Sequence, residues 1–395
     1  MSPDPRSFVV VARSAASVIL AHNDELRIAM PPGGELVFRT KYTDKGFEEP
    51  VPEFLWIEGH GTGEDFKAVA TNVANSARLL ASILSVAGNA AIAPPEVELV
   101  FENTPGVSER TFFQIALPPE PPILAVSGRT LPANATSEFL QALGTSPHVA
   151  RLIRAVGQYS TALLNWAPGA EMVCVGHLFM GMEALKSVAL AEHLRSTGAT
   201  EEGAGVVWGF DPSRHQKLRD FLLSEARRRL LFEDNSDCHR KTKAASDALE
   251  HGHMDFGVIR RIASEVVLDA AHYLRKAIIQ YSGLSAQTRD ALINQSGPPR
   301  GPLRIMRYFY GALLGESETL AASGQTYPIC EWKAKLKRVF KNKDGKYSTE
   351  LDENWTVRIA DNLQLRRDRY EIWDGSTIVK RGAPPGPPPT DVKIE

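Results

Sequence analysis

The sequence predicts an α+β protein of several domains: an N-terminal sheet with a covering helix, a central helical bundle and a small β-rich C-terminal domain. Three observations carry this. Short aromatic and β-branched runs between Pro, Gly and Asn turns fill the chain from Ser7 to about Gly128. Near Ser146 the hydrophobic period becomes helical. Close to the C-terminus an Asp344-Gly345 pair separates two alternating segments, a hairpin signal. With 395 residues the chain exceeds the size of one hydrophobic core, so two or three domains are expected.

The N-terminal runs are FVVVA, ELVFRTKY, FLWIEG, EVELVF and TFFQIAL, all strand-like. Between Gly63 and Ala90 an Ala- and Leu-rich stretch sets Phe66, Val69, Val73, Leu79, Leu80 and Ile83 at helical spacing, predicting a helix over one sheet face. The Pro-rich segment Leu117 to Ile123 is expected to end this domain, which spans residues 1–145, or to wrap around it. In residues 146–285 one stripe runs through Val149, Leu152, Ile153, Val156, Ser160 and Leu163, and a second through Leu178, Met182, Leu185 and Ala189. A third helix is predicted from Pro212 to Phe232, with Asp211 as N-cap and Pro212 in the first turn. A shorter one covers Ser236 to Glu250. A long amphipathic helix follows, marked by Phe256, Ile259, Ile262, Val266, Ala270, Tyr273, Ala277 and Tyr281. The Gly-rich stretch Thr197 to Gly205 reads as an exposed loop. Residues 286–302, ending in a Pro/Gly run, read as a linker. A short helix near Leu303 to Leu314 then opens the β-rich domain of residues 303–382, and residues 383–395 form a Pro-rich tail that reads as disordered or extended.

Composition excludes several classes. At 43% hydrophobic and 23% charged residues, the chain carries none of the biases of disordered, collagen-like or coiled-coil proteins. Cys174, Cys238 and Cys330 are odd in number and far apart, unlike a secreted disulfide framework, so a reducing, cytoplasmic setting is expected. The N-terminus has no signal-peptide pattern, and no stretch approaches the roughly 20 apolar residues of a membrane span. A formal net charge of −2 leaves any nucleic-acid contact to a local patch.

The segment from Asp237 to Phe256 gathers polar and ionisable residues between two helices. A helix carrying GMEAL (Gly181 to Leu185), a helix ending in SDALEHG (Ser246 to Gly252) and a long terminal helix together resemble the HEPN superfamily, particularly its ApeA-like branch, over roughly residues 146 to 285. The resemblance implies an RNA-linked role in bacterial or mobile-element defence or stress and, in active members, metal-independent ribonuclease chemistry, while the bundle's long helices offer a dimer surface. It places Asp247 at the polar position of the motif and His251 and Gly252 at its end. The motif arginine, which would hold the scissile phosphate, falls on Ser246, and serine brings no cation. If catalysis survives, His251 would be the general acid/base for attack of a ribose 2′-hydroxyl on the adjacent phosphate, with Asp247 orienting it and Arg240 or Lys243 replacing the clamp. The alternative, which is preferred, is a helix-capping, hydrogen-bonded histidine in a retained bundle.

Cys238, His239, His251 and His253 include zinc-ligand types, but adjacent Cys238 and His239 point to different sides of a helix, so a solvated polar loop is preferred and neither metal nor cofactor is expected. The run Gly59 to Gly63 offers amides before a helix but lacks a P-loop ending, and reads as a plain strand-to-helix turn. Two basic stretches are candidate nucleic-acid contacts: Arg227 to Arg229, and Lys333, Lys335, Lys337, Arg338 and Lys341 with Lys343 and Lys346. Alternation puts Lys333, Lys335 and Lys337 on one strand face, which a solvated sheet face also explains. No catalytic triad is recognisable. The reading is therefore an HEPN-like, RNA-associated or partner-sensing protein. The alternative is a non-enzymatic scaffold that dimerises through its bundle, its N-terminal domain binding a ligand the sequence does not name.

Overall fold

The structure, a computed structural model, describes residues 6–30, 34–43, 50–114, 128–213, 217–294, 297–302, 305–316, 318–324, 329–341, 347–374 and 377–382. The Pro-rich segment around 117–123, Lys343, Lys346 and the tail from 383 lie outside them. Strands β1 (Arg6–Ser14), β2 (Val18–Ile19), β3 (Leu26–Met30), β4 (Gly34–Thr43) and β5 (Val51–Gly63) precede helix α1 (Phe66–Gly88). Then come β6 (Glu96–Glu102), β7 (Phe112–Gln114) and β8 (Arg129–Thr130). The helical region holds α2 (Ala133–Thr145), α3 (Val149–Leu164), α4 (Glu171–Thr197), α5 (Glu201–Trp208) and α6 (Leu218–Ala226). Helix α6 runs on into a π-helical turn, Arg227–Leu231, followed by α7 (Ser236–His251), α8 (Phe256–Tyr281) and α9 (Ala286–Asn294). Strands β9 (Ile305–Leu314), β10 (Ile329–Lys341), β11 (Tyr347–Arg358), β12 (Gln364–Asp374) and β13 (Thr377–Gly382) close the chain. The mixed α+β class is as the sequence predicts.

The main sheet has the order β3-β4-β5-β1-β6-β7, with β1 antiparallel to both β5 and β6. Alternation sends Phe8, Val10 and Ala12 of β1, Leu36 and Phe38 of β4, and Leu55 and Ile57 of β5 into the core beneath α1. The glycine run is not the strand-to-helix turn expected of it. Gly59, Gly61 and Gly63 belong to β5, and a Cβ on Gly63 would sit 2.7 Å, and one on Gly61 3.1 Å, from methyls of Val69, while one on Gly59 would collide with Val73. The missing side chains are what let α1 lie close on the sheet. The amides are spent on strand pairing; the helix starts later, at Asp65, whose carboxylate accepts from the amides of Lys67 and Ala68 at 2.7 and 3.0 Å.

No break in packing accompanies the expected boundary at residue 145. One hydrophobic core runs from the sheet through α1 into α3, α4, α7 and α8. Arginines from outside α1 cap its C-terminus. Arg275 of α8, 5% exposed, donates from Nε to the Val86 carbonyl at 2.7 Å, and from one terminal nitrogen to Ala87 and Leu292 carbonyls at 3.0 and 2.6 Å. Arg129 reaches the Asn89 carbonyl at 2.8 Å, and the Tyr159 hydroxyl donates to the Asn89 side chain. A helix C-terminus leaves carbonyls unpaired at the negative end of its dipole, which suits guanidinium donors. The chain accordingly divides into two compact units, Met1–Lys41 with Glu53–Pro302, and Tyr42–Pro52 with Leu303–Glu395.

Within the first unit, α3, α7 and α8 match the sequence reading closely. Three element assignments change. The third helix begins at Leu218; Asp211 accepts instead from the amide and hydroxyl of Ser213 at 2.9 and 2.7 Å. The supposed loop at Thr197–Gly205 contains most of α5, capped by the Thr200 hydroxyl on the Gly203 amide, with Glu201 and Glu202 favourably placed in its first turn. The linker contains α9, which buries Leu292 fully. Helix α4, against expectation, is long and apolar enough by composition to cross a membrane, but 67% of that stretch is buried inside the molecule, as a core helix requires.

The second unit contains the antiparallel pair β10–β11 and a three-stranded sheet in the order β13-β12-β9. The expected hairpin around Asp344-Gly345 is present as the register Lys341 opposite Tyr347, its turn lying outside the described residues. The expected short helix at Leu303–Leu314 is strand β9. Its aromatic run through Tyr308, Phe309 and Tyr310 suits a pleated surface, and pairing with β12 settles the choice.

Candidate functional site

The motif residues lie along α7. Its N-cap is Asn235, whose side chain accepts from the Cys238 amide at 3.1 Å. Its C-terminus is His251, followed by Gly252 with φ 64°, the left-handed conformation that ends a helix. The C-terminal half packs on α4 through Leu249 over Gly176, where a Cβ would stand 3.2 Å from the leucine methyl.

His251 is exposed, and its side chain has no hydrogen-bond or ion-pair partner among the described residues, so the hydrogen bond expected of a capping histidine is not made. Asp247 does not orient it: its carboxylate is held by Lys243 on the preceding turn. Arg240 pairs with Asp237 at 2.6 Å, toward the other end of the helix and about 16 Å along it from His251. Neither proposed substitute cation therefore stands beside the histidine. Ser246, where the motif arginine would fall, is 1% exposed and faces the core, its hydroxyl 3.4 Å from Glu250. An arginine at this position would need a buried partner of its own.

The structure brings together a cluster the sequence did not announce. Arg227, at the start of the π-helical turn, is 7% exposed. It pairs with Glu183 of the GMEAL stretch, lies over the Phe179 ring with its guanidinium carbon 4.9 Å from the centroid, and donates from Nε to His239 Nε2 at 3.2 Å. Burial pulls the Arg227 pKa below its usual value, opposed by the charge of Asp247. His239 is held neutral: burial first, then Arg227, Arg228 and Lys243, push its pKa down to about 4. Because its Nε2 accepts from Arg227, the proton of this neutral ring resides on Nδ1. A π-turn shifts the register of a helix by one residue and often marks a functional position. Here it turns Arg227 inward, away from the nucleic-acid contact that its basic neighbourhood suggested. The other two arginines of that stretch are also engaged, Arg228 with Glu225 and Asp234 at 2.7 and 2.9 Å, and Arg229 with Glu225 at 2.8 Å. The i,i+4 spacing of Glu225 and Arg229 is legible in the sequence; the Arg227–Glu183–His239 meeting is not.

The remaining candidates separate. Cys238 is buried, its pKa raised by desolvation, while His251 ends α7 and His253 lies just beyond it, both exposed; of the solvated polar loop expected for these residues only His253 is in one, Cys238, His239 and His251 being helical. Among the described residues no three His, Cys, Asp or Glu side chains are placed to hold a metal. On β10 the register sets Lys333 opposite Asn354 and Lys335 opposite Asp352, and it slips between Leu336 and Arg338, so Lys337 interrupts the strict alternation. Lys337 pairs with Glu350 at 2.8 Å, Arg338 lies over the Phe340 ring at 5.6 Å, and Lys341 ends the strand. A cleft of about 330 Å³ between α4, the π-turn, α8 and α9 is lined by Glu192, His193, Gln280 and Tyr281. It opens about 20 Å along α4 from Gly176 and so stands apart from His251.

Compared with protein-family models, with curated proteins and with solved structures, the chain has no match in any of the three.

Proposed function

We propose that this is an HEPN-like protein that acts by associating with RNA in the cytoplasm, in a bacterial defence or stress setting, and not by cleaving it. The observation behind the non-catalytic reading is electrostatic. The cations carried by α7 itself, and Arg227 packed beside it, already have carboxylates: Arg240 and Lys241 share Asp237, Lys243 holds Asp247, and Arg227 is buried on Glu183. Transfer of a phosphoryl centre to a 2′-hydroxyl needs a donor aimed at the developing charge, and His251 has none beside it. RNA contact is assigned instead to the β10–β11 hairpin, through Lys333, Lys335, Arg338 and Lys341, with Lys337 joining them by exchanging its Glu350 partner for a phosphate.

The test is incubation of total RNA with the protein in chelator, beside a salt titration of RNA binding. Neither the unaltered protein nor His251→Ala is expected to cleave, while binding weakens with salt and with neutralisation of the β10 lysines. Chelator-resistant cleavage that His251→Ala abolishes would restore the nuclease reading. A second reading, a scaffold that dimerises through its bundle, is favoured by exposed apolar side chains on either side of His251: Leu249 at 41%, Phe256 at 66% and Val258 at 39%. It predicts dimers that persist in high salt and no affinity for RNA.

A further inference from the structure

One face of the three-stranded sheet joins aromatic rings to guanidinium groups. Tyr308 and Tyr310 are two apart on β9, so they share a face, and they are 41% and 37% exposed. The register sets Tyr310 opposite Arg369 and Tyr308 opposite Glu371, and Glu371 is in turn opposite Arg381 of β13. The Arg369 guanidinium lies over the Tyr310 ring, 4.1 Å from its centroid. Among the described residues Arg369 makes no ion pair. The acid on this face is neutralised: Glu371 is only 4% exposed, accepting from the Tyr310 hydroxyl at 3.0 Å and pairing with Arg381 at 3.1 Å. Arg381 keeps 68% of its side chain exposed. Residues 303–382 carry 15 Lys and Arg against 11 Asp and Glu, whereas the whole chain has 45 against 47, so the positive excess is local.

We infer that this face binds single-stranded nucleic acid, with bases stacking on Tyr308 and Tyr310 and the backbone phosphates meeting Arg369 and Arg381. The inference rests on the RNA-associated reading and adds a second contact surface to the β10–β11 hairpin. Rings two residues apart on a strand stand about 6.8 Å from each other, room for one base on each. Every base has a flat face to stack, so the platform is indifferent to sequence, and a paired base cannot reach it. The Glu371 and Arg369 contacts hold the Tyr310 ring in place before the ligand arrives, which lowers the ordering cost of binding.

The experiment is fluorescence anisotropy of the full chain with labelled oligonucleotides of one sequence as single-stranded RNA, single-stranded DNA and RNA duplex. Both single strands are expected to bind more tightly than the duplex, and preference between them identifies the natural source. Tyr308→Ser and Arg369→Gln should each weaken single-strand binding about tenfold. Arg369→Lys, which keeps the charge and loses the stacked plane, should fall between, and an unchanged melting curve separates lost contact from lost fold. Single-strand binding that none of these variants alters, or a duplex bound equally well, overturns the inference and leaves RNA association to the β10 lysines. Binding of none of the three overturns RNA association itself.

Discussion

Arg275 joins the helical bundle to the sheet layer, and replacing it by methionine tests that role with little change in volume. Arg275→Met removes donors to the carbonyls of Val86, Ala87 and Leu292. Hydrogen bonds from charged donors contribute about 1.5–3 kcal/mol each, so the gross loss is roughly 5–9 kcal/mol. Burying a guanidinium costs several kcal/mol, which the variant recovers, and a net destabilisation of about 3–5 kcal/mol remains. For a unit of this size that lowers Tm by about 6–10 °C. Differential scanning calorimetry of the full chain should show the shift in the transition of the larger unit alone. A shift below about 2 °C would refute the argument, because it would mean that water satisfies these carbonyls as well as the arginine does.

Two further outcomes follow from the packing and the charges. Gly59→Ala puts a methyl against Val73 and should cost about 1–3 kcal/mol in chemical denaturation, whereas Gly157→Ala, in a helix with open space at that point, should stabilise by about 0.5–1 kcal/mol. His239 titrates near 4 in the fold and near 6.5 unfolded, so above pH 6.5 both states are neutral and it contributes no pH dependence. Between pH 6.5 and 4 only the unfolded chain takes the proton, and stability should fall by about 1 kcal/mol after discounting for partial exposure. Melting curves across that range should lose this slope in His239→Gln; an unchanged slope would place the pH dependence elsewhere.

The sequence by itself determined the class of each segment wherever local period and caps agree. Helix α8 follows from the spacing of Phe256 to Tyr281 and begins at Asp255, whose carboxylate accepts from the amides of Gly257 and Val258. The β10–β11 hairpin follows from alternation on either side of Asp344-Gly345. Failures occur where a partner distant in sequence decides. The run IMRYFYGALL is locally ambiguous, and only pairing with β12 makes it strand β9. The glycines of β5 read as a turn because their reason for being small is Val69 and Val73 on the helix that follows. The candidate site divides in the same way. That His251 ends a helix and that Ser246 carries no charge are visible in the letters. That Ser246 faces the core, that Arg227 turns inward onto Glu183, and that Arg275 crosses 189 positions of sequence to cap α1 depend on which surfaces meet. Local backbone preferences set elements, while buried charges take whatever acceptor the tertiary packing brings within about 3 Å.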